Sequence, residues 1–94
     1  MIVAWLPKAI ANRDDLIAYI AESNPVAAIK QDNEIETQTD QLENHPQIGR
    51  NGRKTGAREL VISNTSFLVV YRVRPKLKCV EIMRVLHTSQ QWPA

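Results

Sequence analysis

The sequence predicts an α+β domain of two layers: a strand, a helical hairpin and then a three-stranded antiparallel meander (βααβββ). Three observations predict it. Apolar residues recur at helical spacing between Pro7 and His45, and the period switches from 3.6 to 2 beyond residue 57. The connections between the last three strands are so short that neighbours must run antiparallel.

The opening IVAWL (residues 2–6) is a short apolar strand ended by Pro7. In the helix that follows, Ile10, Ile17 and Ile20 share one face with Leu16 beside them, while Asn12, Arg13, Asp15 and Glu22 lie elsewhere. The SNP triplet breaks the pattern, because a residue preceding proline is pushed out of the α region. Asn24 then caps a second helix with Pro25 at its first position, where the missing N–H costs nothing. That helix repeats Ala28, Ile35 and Leu42 at sevens and ends at ENHP (43–46). Neither helix can bury so narrow a stripe alone, so the two form an antiparallel hairpin.

Three strands follow: RELVIS (58–63), FLVVYRVR (67–74) and KCVEIMRVL (78–86). In the middle one both alternating sets begin apolar, which predicts a central strand covered on much of both faces. Tyr71 therefore reads as core. The helices cover one sheet face, and the other is expected to gather the C-terminal cations and the closing HTSQQWPA.

Ninety-four residues with 44% apolar content make one domain, 1–94, with a small aliphatic core. There is no uncharged run long enough to span a bilayer, and the apolar N-terminus lacks a basic leader and a cleavage site; a soluble, cytoplasmic chain is the expectation. Cys79 is the only cysteine, which excludes an internal disulfide and reads as a buried structural thiol. The net charge of +2 conceals a division. Residues 1–48 carry three cations against eight acids, or −5, and residues 49–94 carry nine cations against Glu59 and Glu81, or +7. The basic half suits an acidic protein partner or a nucleic acid equally.

The segment IGRNGRKTGAREL (48–60) concentrates these cations, yet it is no phosphate-binding P-loop. Gly49 stands three residues before Gly52 rather than five, Arg53 intervenes before Lys54–Thr55, and the flanks are reversed, helix before and strand after. His45 and His87 lack metal-ligand spacing to any cysteine or carboxylate cluster, and no nucleophile motif is present; neither metal nor cofactor is called for. The segment is the exposed passage into the sheet, turned by Asn51 and Gly52. Its Arg50, Arg53 and Lys54 are candidates for a partner-binding surface, together with Arg58, Arg72, Arg84, His87 and Trp92. Arg58 opens one strand and His87 closes another, and antiparallel strands can bring such ends to one rim, where His87 would serve as a proton carrier or as a rim histidine with a backbone partner. Glu59 is expected in an exposed pair with Arg58, Arg72 or Arg84, worth about 0–1 kcal/mol. Trp92, followed by Pro93, reads as a packing lid or as an exposed anchor for a partner.

NPVAA, LENHPQIGRNGRKTGARELVI, FLVVYRV and IMRVLHTSQQWP together resemble the RelE/ParE superfamily of small bacterial toxins, the poison halves of type II toxin–antitoxin modules. The resemblance spans nearly the whole chain, and its most specific parts are HPQIGR, GARELVI and LHTSQQWP. It implies a helical hairpin on a small antiparallel sheet and a cognate antitoxin with an acidic, partly disordered tail that folds on binding, giving a hetero-oligomer. RelE-type members cut mRNA on the ribosome with basic residues on the strands. Here the comparable positions hold Glu59, Val61 and Leu68, and the C-terminus lacks the arginine and tyrosine of that set. A ribonuclease of the YoeB kind would have to use Arg58, Glu59 and His87. The missing cleavage residues favour the ParE-like alternative, in which the toxin traps DNA gyrase, stalls replication and damages DNA. A non-toxic or decayed basic binding domain is a third reading, kept open by Gln90 and Gln91 where relatives often carry arginine.

Overall fold

The computed structural model describes residues 1–90 and 92; Gln91 and Pro93, which the sequence reading drew on, lie outside the described residues. The elements are β1 (Ile2–Trp5), α1 (Pro7–Ser23), α2 (Pro25–Asp40), a 3-10 turn (Gln41–Glu43), β2 (Arg50–Asn51), β3 (Arg58–Val61), β4 (Phe67–Arg74), a second 3-10 turn (Pro75–Leu77) and β5 (Cys79–His87). This is the expected strand, helical hairpin and meander. Two features were not predicted. β2 is a two-residue strand, too short for a periodic signal, and β1 pairs in parallel with β5, so that one five-stranded sheet runs β1-β5-β4-β3-β2.

The hairpin forms as the local chemistry dictates. Asn24 Oδ1 accepts from the Ala27 backbone N–H, Pro25 follows at the first helical position, and Asn24 N–H closes α1 by donating to the Ile20 carbonyl. Ala28, Ile35 and Leu42 are all buried, so the stripe at sevens is the seam of α2, with Leu42 delivered by the 3-10 turn. In α1 the seam is shifted. Ala9, Leu16, Ile17 and Ile20 face the core, whereas Ile10 is exposed because its neighbour Ala9 takes the close approach to the sheet. Arg13, which the pattern assigned to the polar side, ties the two helices. Its Nε donates to Asp32 at 2.7 Å, its Nη1 to Glu36 at 2.8 Å, and its guanidinium carbon lies 4.9 Å from the centroid of Trp5.

β4 is central, and Phe67–Tyr71 are buried without interruption. Its alternating sets serve two clusters. Phe67, Val69 and Tyr71 join Val80, Ile82, Val85, Ile35 and Leu42 beneath the helices. Leu68 and Val70 join Ala57, Leu86 and Trp92 on the opposite face. A bulge between Val70 and Tyr71 gives β5 one extra residue, Met83, between the partners of those two positions. Cys79 is only partly buried, because it opens β5 beside the exposed ends of β1 and β4; the fully buried thiol expected from its alternating context is corrected.

Candidate partner-binding surface

The sheet face away from the helices carries the basic loop, and the anchor that holds it there is Glu59. Alternation along β3 sends Leu60 toward the helices and Glu59 to the far face, where it is 2% exposed. It is not in an exposed pair, nor with the strand arginines the sequence suggested. Arg50 Nη2 donates to its Oε1 at 3.0 Å, and the backbone N–H and Nε of Arg53 donate to its Oε2 at 3.1 and 3.2 Å. Burial by itself would raise the carboxyl pKa. The Arg53 backbone N–H and the two guanidiniums outweigh burial and hold it below its ordinary value. The β2 pairing of Arg50 with Glu59 and of Asn51 with Arg58 closes the same contact through the backbone.

A second anchor works from the helix side. Tyr71, fully buried, donates its hydroxyl to the Pro46 carbonyl at 2.8 Å and accepts from the Gly49 N–H at 2.9 Å. Burial raises its pKa against the smaller opposing effects of the Gly49 N–H and the Arg58 charge. A Cβ on residue 49 would lie 2.7 Å from the Tyr71 ring and hydroxyl, so this position requires glycine for space. Arg58 shares the Tyr71 level and face; its Nη1 donates to the Gly49 carbonyl at 2.8 Å and reaches the Gln47 carbonyl at 3.5 Å. The passage from helix to sheet is therefore pinned from both sides, and its arginines are presented on a fixed base.

The other candidates take distinct positions. Arg72 Nε donates to Glu81 at 2.6 Å, with Arg74 at 3.7 Å from the same carboxylate, both on the basic face. Lys54, Arg72 and Arg74 border a cleft of about 370 Å³ whose floor includes Met83 and Trp92. Trp92 is 9% exposed and packs on Leu68, Val70 and Leu86, so it is the packing lid of the two roles foreseen for it. Arg84 is elsewhere: its Nε donates to Asn12 Oδ1 on α1 at 2.8 Å, and the same oxygen accepts from the Val85 N–H at 3.2 Å. Asn12 thus continues the ladder of β5 where β1 has ended, a role with no trace in a helix-period pattern. Arg58 and Arg84 depart from the expectation that the C-terminal cations gather on the far face, as do Lys76 and Lys78, which lie in and beside the exposed turn between β4 and β5.

His87 does not meet Arg58 or Glu59. β3 and β5 are each antiparallel to β4, so they run parallel to one another, and the start of one lies at the opposite rim from the end of the other. Arg58 pairs at Tyr71 and His87 at Phe67. Four residues along β4 and two strand spacings separate their Cα atoms by roughly 16 Å. The imidazole stands edge-on to Phe67, and its Nδ1 accepts from the Ser89 N–H at 3.1 Å with Ser89 Oγ at 2.6 Å. The local hydrogen-bonded role is what the geometry gives it. No group of three His, Cys, Asp or Glu gathers among the described residues, and none of their helices is long and apolar enough to cross a membrane.

Residues 3–92 match the family model described as the ParE toxin of the type II toxin-antitoxin system, parDE. A relative from Sinorhizobium fredii (strain NBRC 101917 / NGR234), named "Putative toxin Y4kP", is 36% identical over 91 residues, which cover 97% of this chain and 92% of the relative. The solved structure of the "Chromosomal ParDE TA system from P. aeruginosa" superposes with a TM-score of 0.82 at 26% identity, covering 93% of this chain and 95% of that one.

Proposed function

The chain belongs to the ParE toxin family of type II toxin–antitoxin systems, and from that membership we propose that it arrests growth by poisoning DNA gyrase and is neutralised by a cognate antitoxin. The observation that carries the choice of target is the dispersal of the three side chains a ribonuclease would need. Arg58 is committed to backbone carbonyls, Glu59 is buried in an ion-pair cluster, and His87 is at the other rim. General acid–base cleavage of a phosphodiester requires such groups within hydrogen-bond reach of one scissile site. A gyrase poison has no such requirement.

The antitoxin is proposed to lay an acidic segment on the far sheet face. Arg50, Arg53, Lys54, Arg72 and Arg74 face Glu59 and Glu81 there, a net +3 arranged on the pinned loop and the central strand. Charge complementarity of this kind sets partner choice and association rate more than affinity. Purified toxin should block gyrase supercoiling or accumulate cleaved DNA, and should leave mRNA intact on translating ribosomes. Unaffected gyrase together with cleaved mRNA would reject the reading.

A further inference from the structure

We infer that the antitoxin segment carries an apolar anchor, seated in a concavity at the β4–β5 turn that continues the basic face. The inference rests on the reading that an acidic segment lies on that face, and it adds where an apolar side chain of that segment goes. Arg74, Pro75, Lys76 and Leu77 line a concavity of about 510 Å³, within the size range of ligand pockets, and its wall is mostly apolar. Such a wall, built by two cations, a proline and a leucine, turns the aliphatic stems of the cations inward and leaves their charges at the rim. Every residue from Arg74 to Lys78 is exposed, and Leu77, with 63% of its surface in water, belongs to neither core cluster. Register puts Ile2, Cys79 and Arg74 in one row across β1, β5 and β4. Their neighbours Val3, Val80 and Val73 point beneath the helices, so the row lies on the far face. Ile2 is 72% exposed, which leaves two large aliphatic side chains in water at this end of the sheet. Apolar surface kept in water within a charged rim marks a contact site.

Continuity and charge select the occupant. Arg74 lines both this concavity and the cleft bordered by Lys54 and Arg72, so a chain lying along the cleft passes directly into the concavity. Glu81 holds Arg72 at 2.6 Å but Arg74 only at 3.7 Å, and among the described residues neither Lys54 nor Lys76 has an ion-pair partner. A ligand that spans both hollows must bring carboxylates to the cleft and an apolar group to the turn. An acidic protein segment does both, whereas a nucleic acid would meet the cations and offer no long aliphatic side chain to the apolar wall. The two contacts divide the work of binding. Carboxylates on exposed cations speed encounter and exclude wrong partners, while a buried anchor holds the segment once it has landed.

The test is fluorescence anisotropy of the full-length toxin with two labelled oligoglutamate peptides, one flanked by leucine at both ends and its twin flanked by alanine. Wild type should bind both, each more weakly as salt rises, and should hold the leucine peptide on the order of 10- to 100-fold tighter, the factor that burial of one leucine supplies. Leu77→Ser should erase that preference and leave the affinity for the alanine peptide unchanged. Lys54→Ala should weaken both peptides by the same factor. Leu77 lies outside both core clusters and Lys54 is exposed, so circular dichroism and melting of the variants should match wild type. Equal affinity of wild type for the two peptides overturns the inference, as does a leucine preference that survives Leu77→Ser. Either result leaves the docking of an acidic segment standing, whereas binding of neither peptide at low salt overturns both. Equal affinity together with a dimer in sedimentation velocity that Leu77→Ser abolishes would give the patch to a second copy of this chain instead.

Discussion

Glu59 has 1% of its side chain exposed, while the guanidiniums that hold it, Arg50 and Arg53, are 62% and 47% exposed. The asymmetry predicts unequal costs for breaking the cluster from its two ends. Arg50→Ala/Arg53→Ala leaves a buried carboxylate with one backbone N–H and should cost about 3 kcal/mol; Glu59→Gln returns both guanidiniums to water and should cost about 1 kcal/mol. Urea unfolding of the two variants would reverse the assignment if the order were inverted. The same residue sets an acid limit. Its folded pKa lies below the ordinary 4.5, so the stability it contributes is complete above that value and is lost as pH falls through the depressed folded one. Glu59→Gln should lack this acid-side loss in a pH series of unfolding free energies. Gly49→Ala meets the Tyr71 ring and hydroxyl at 2.7 Å and should cost about 1–3 kcal/mol by overpacking, read as a lower Tm. That a glycine sits at 49 is visible in the sequence, but the tyrosine that demands it is 22 positions away.

Elements were legible where their signals are local. The Asn24–Pro25 pair marks the break between helices, and the cap it promises is present at 3.1 Å; Asn24→Ala should lower stability by about 1 kcal/mol, a drop that thermal melting would register. The strands 58–61, 67–74 and 79–87 follow the alternation to within one or two residues at each end. Ile10 was misassigned because a helix wheel ranks hydrophobicity, and Ala9 is chosen for its small size at a close approach. β2 was missed because two residues carry no period, and it exists only through its pairing with β3. The side-chain clamp from Gln38 to the Ser63 N–H and carbonyl is equally invisible, since it joins a helix to a turn 25 residues on.

At the scale of the whole molecule the charge division becomes a spatial one in part. The loop and β4 place their arginines on the far face, while Arg58 and Arg84 turn to the helix side and bind backbone and Asn12. If the toxin acts on gyrase, His87→Ala should leave growth arrest within about twofold of wild type, because His87 bonds only to its own turn; ribonuclease action through that histidine should abolish arrest on the same induction. Periodicity, caps and the order of elements are properties of neighbouring residues, and with them the sequence by itself determined the α+β layout, the two faces of β4 and the resemblance to a toxin family. Which candidate residues meet was decided by the tertiary structure alone. Strand direction and register depend on packing between distant segments, and a parallel relation between β3 and β5 is enough to put Arg58 and His87 at opposite rims.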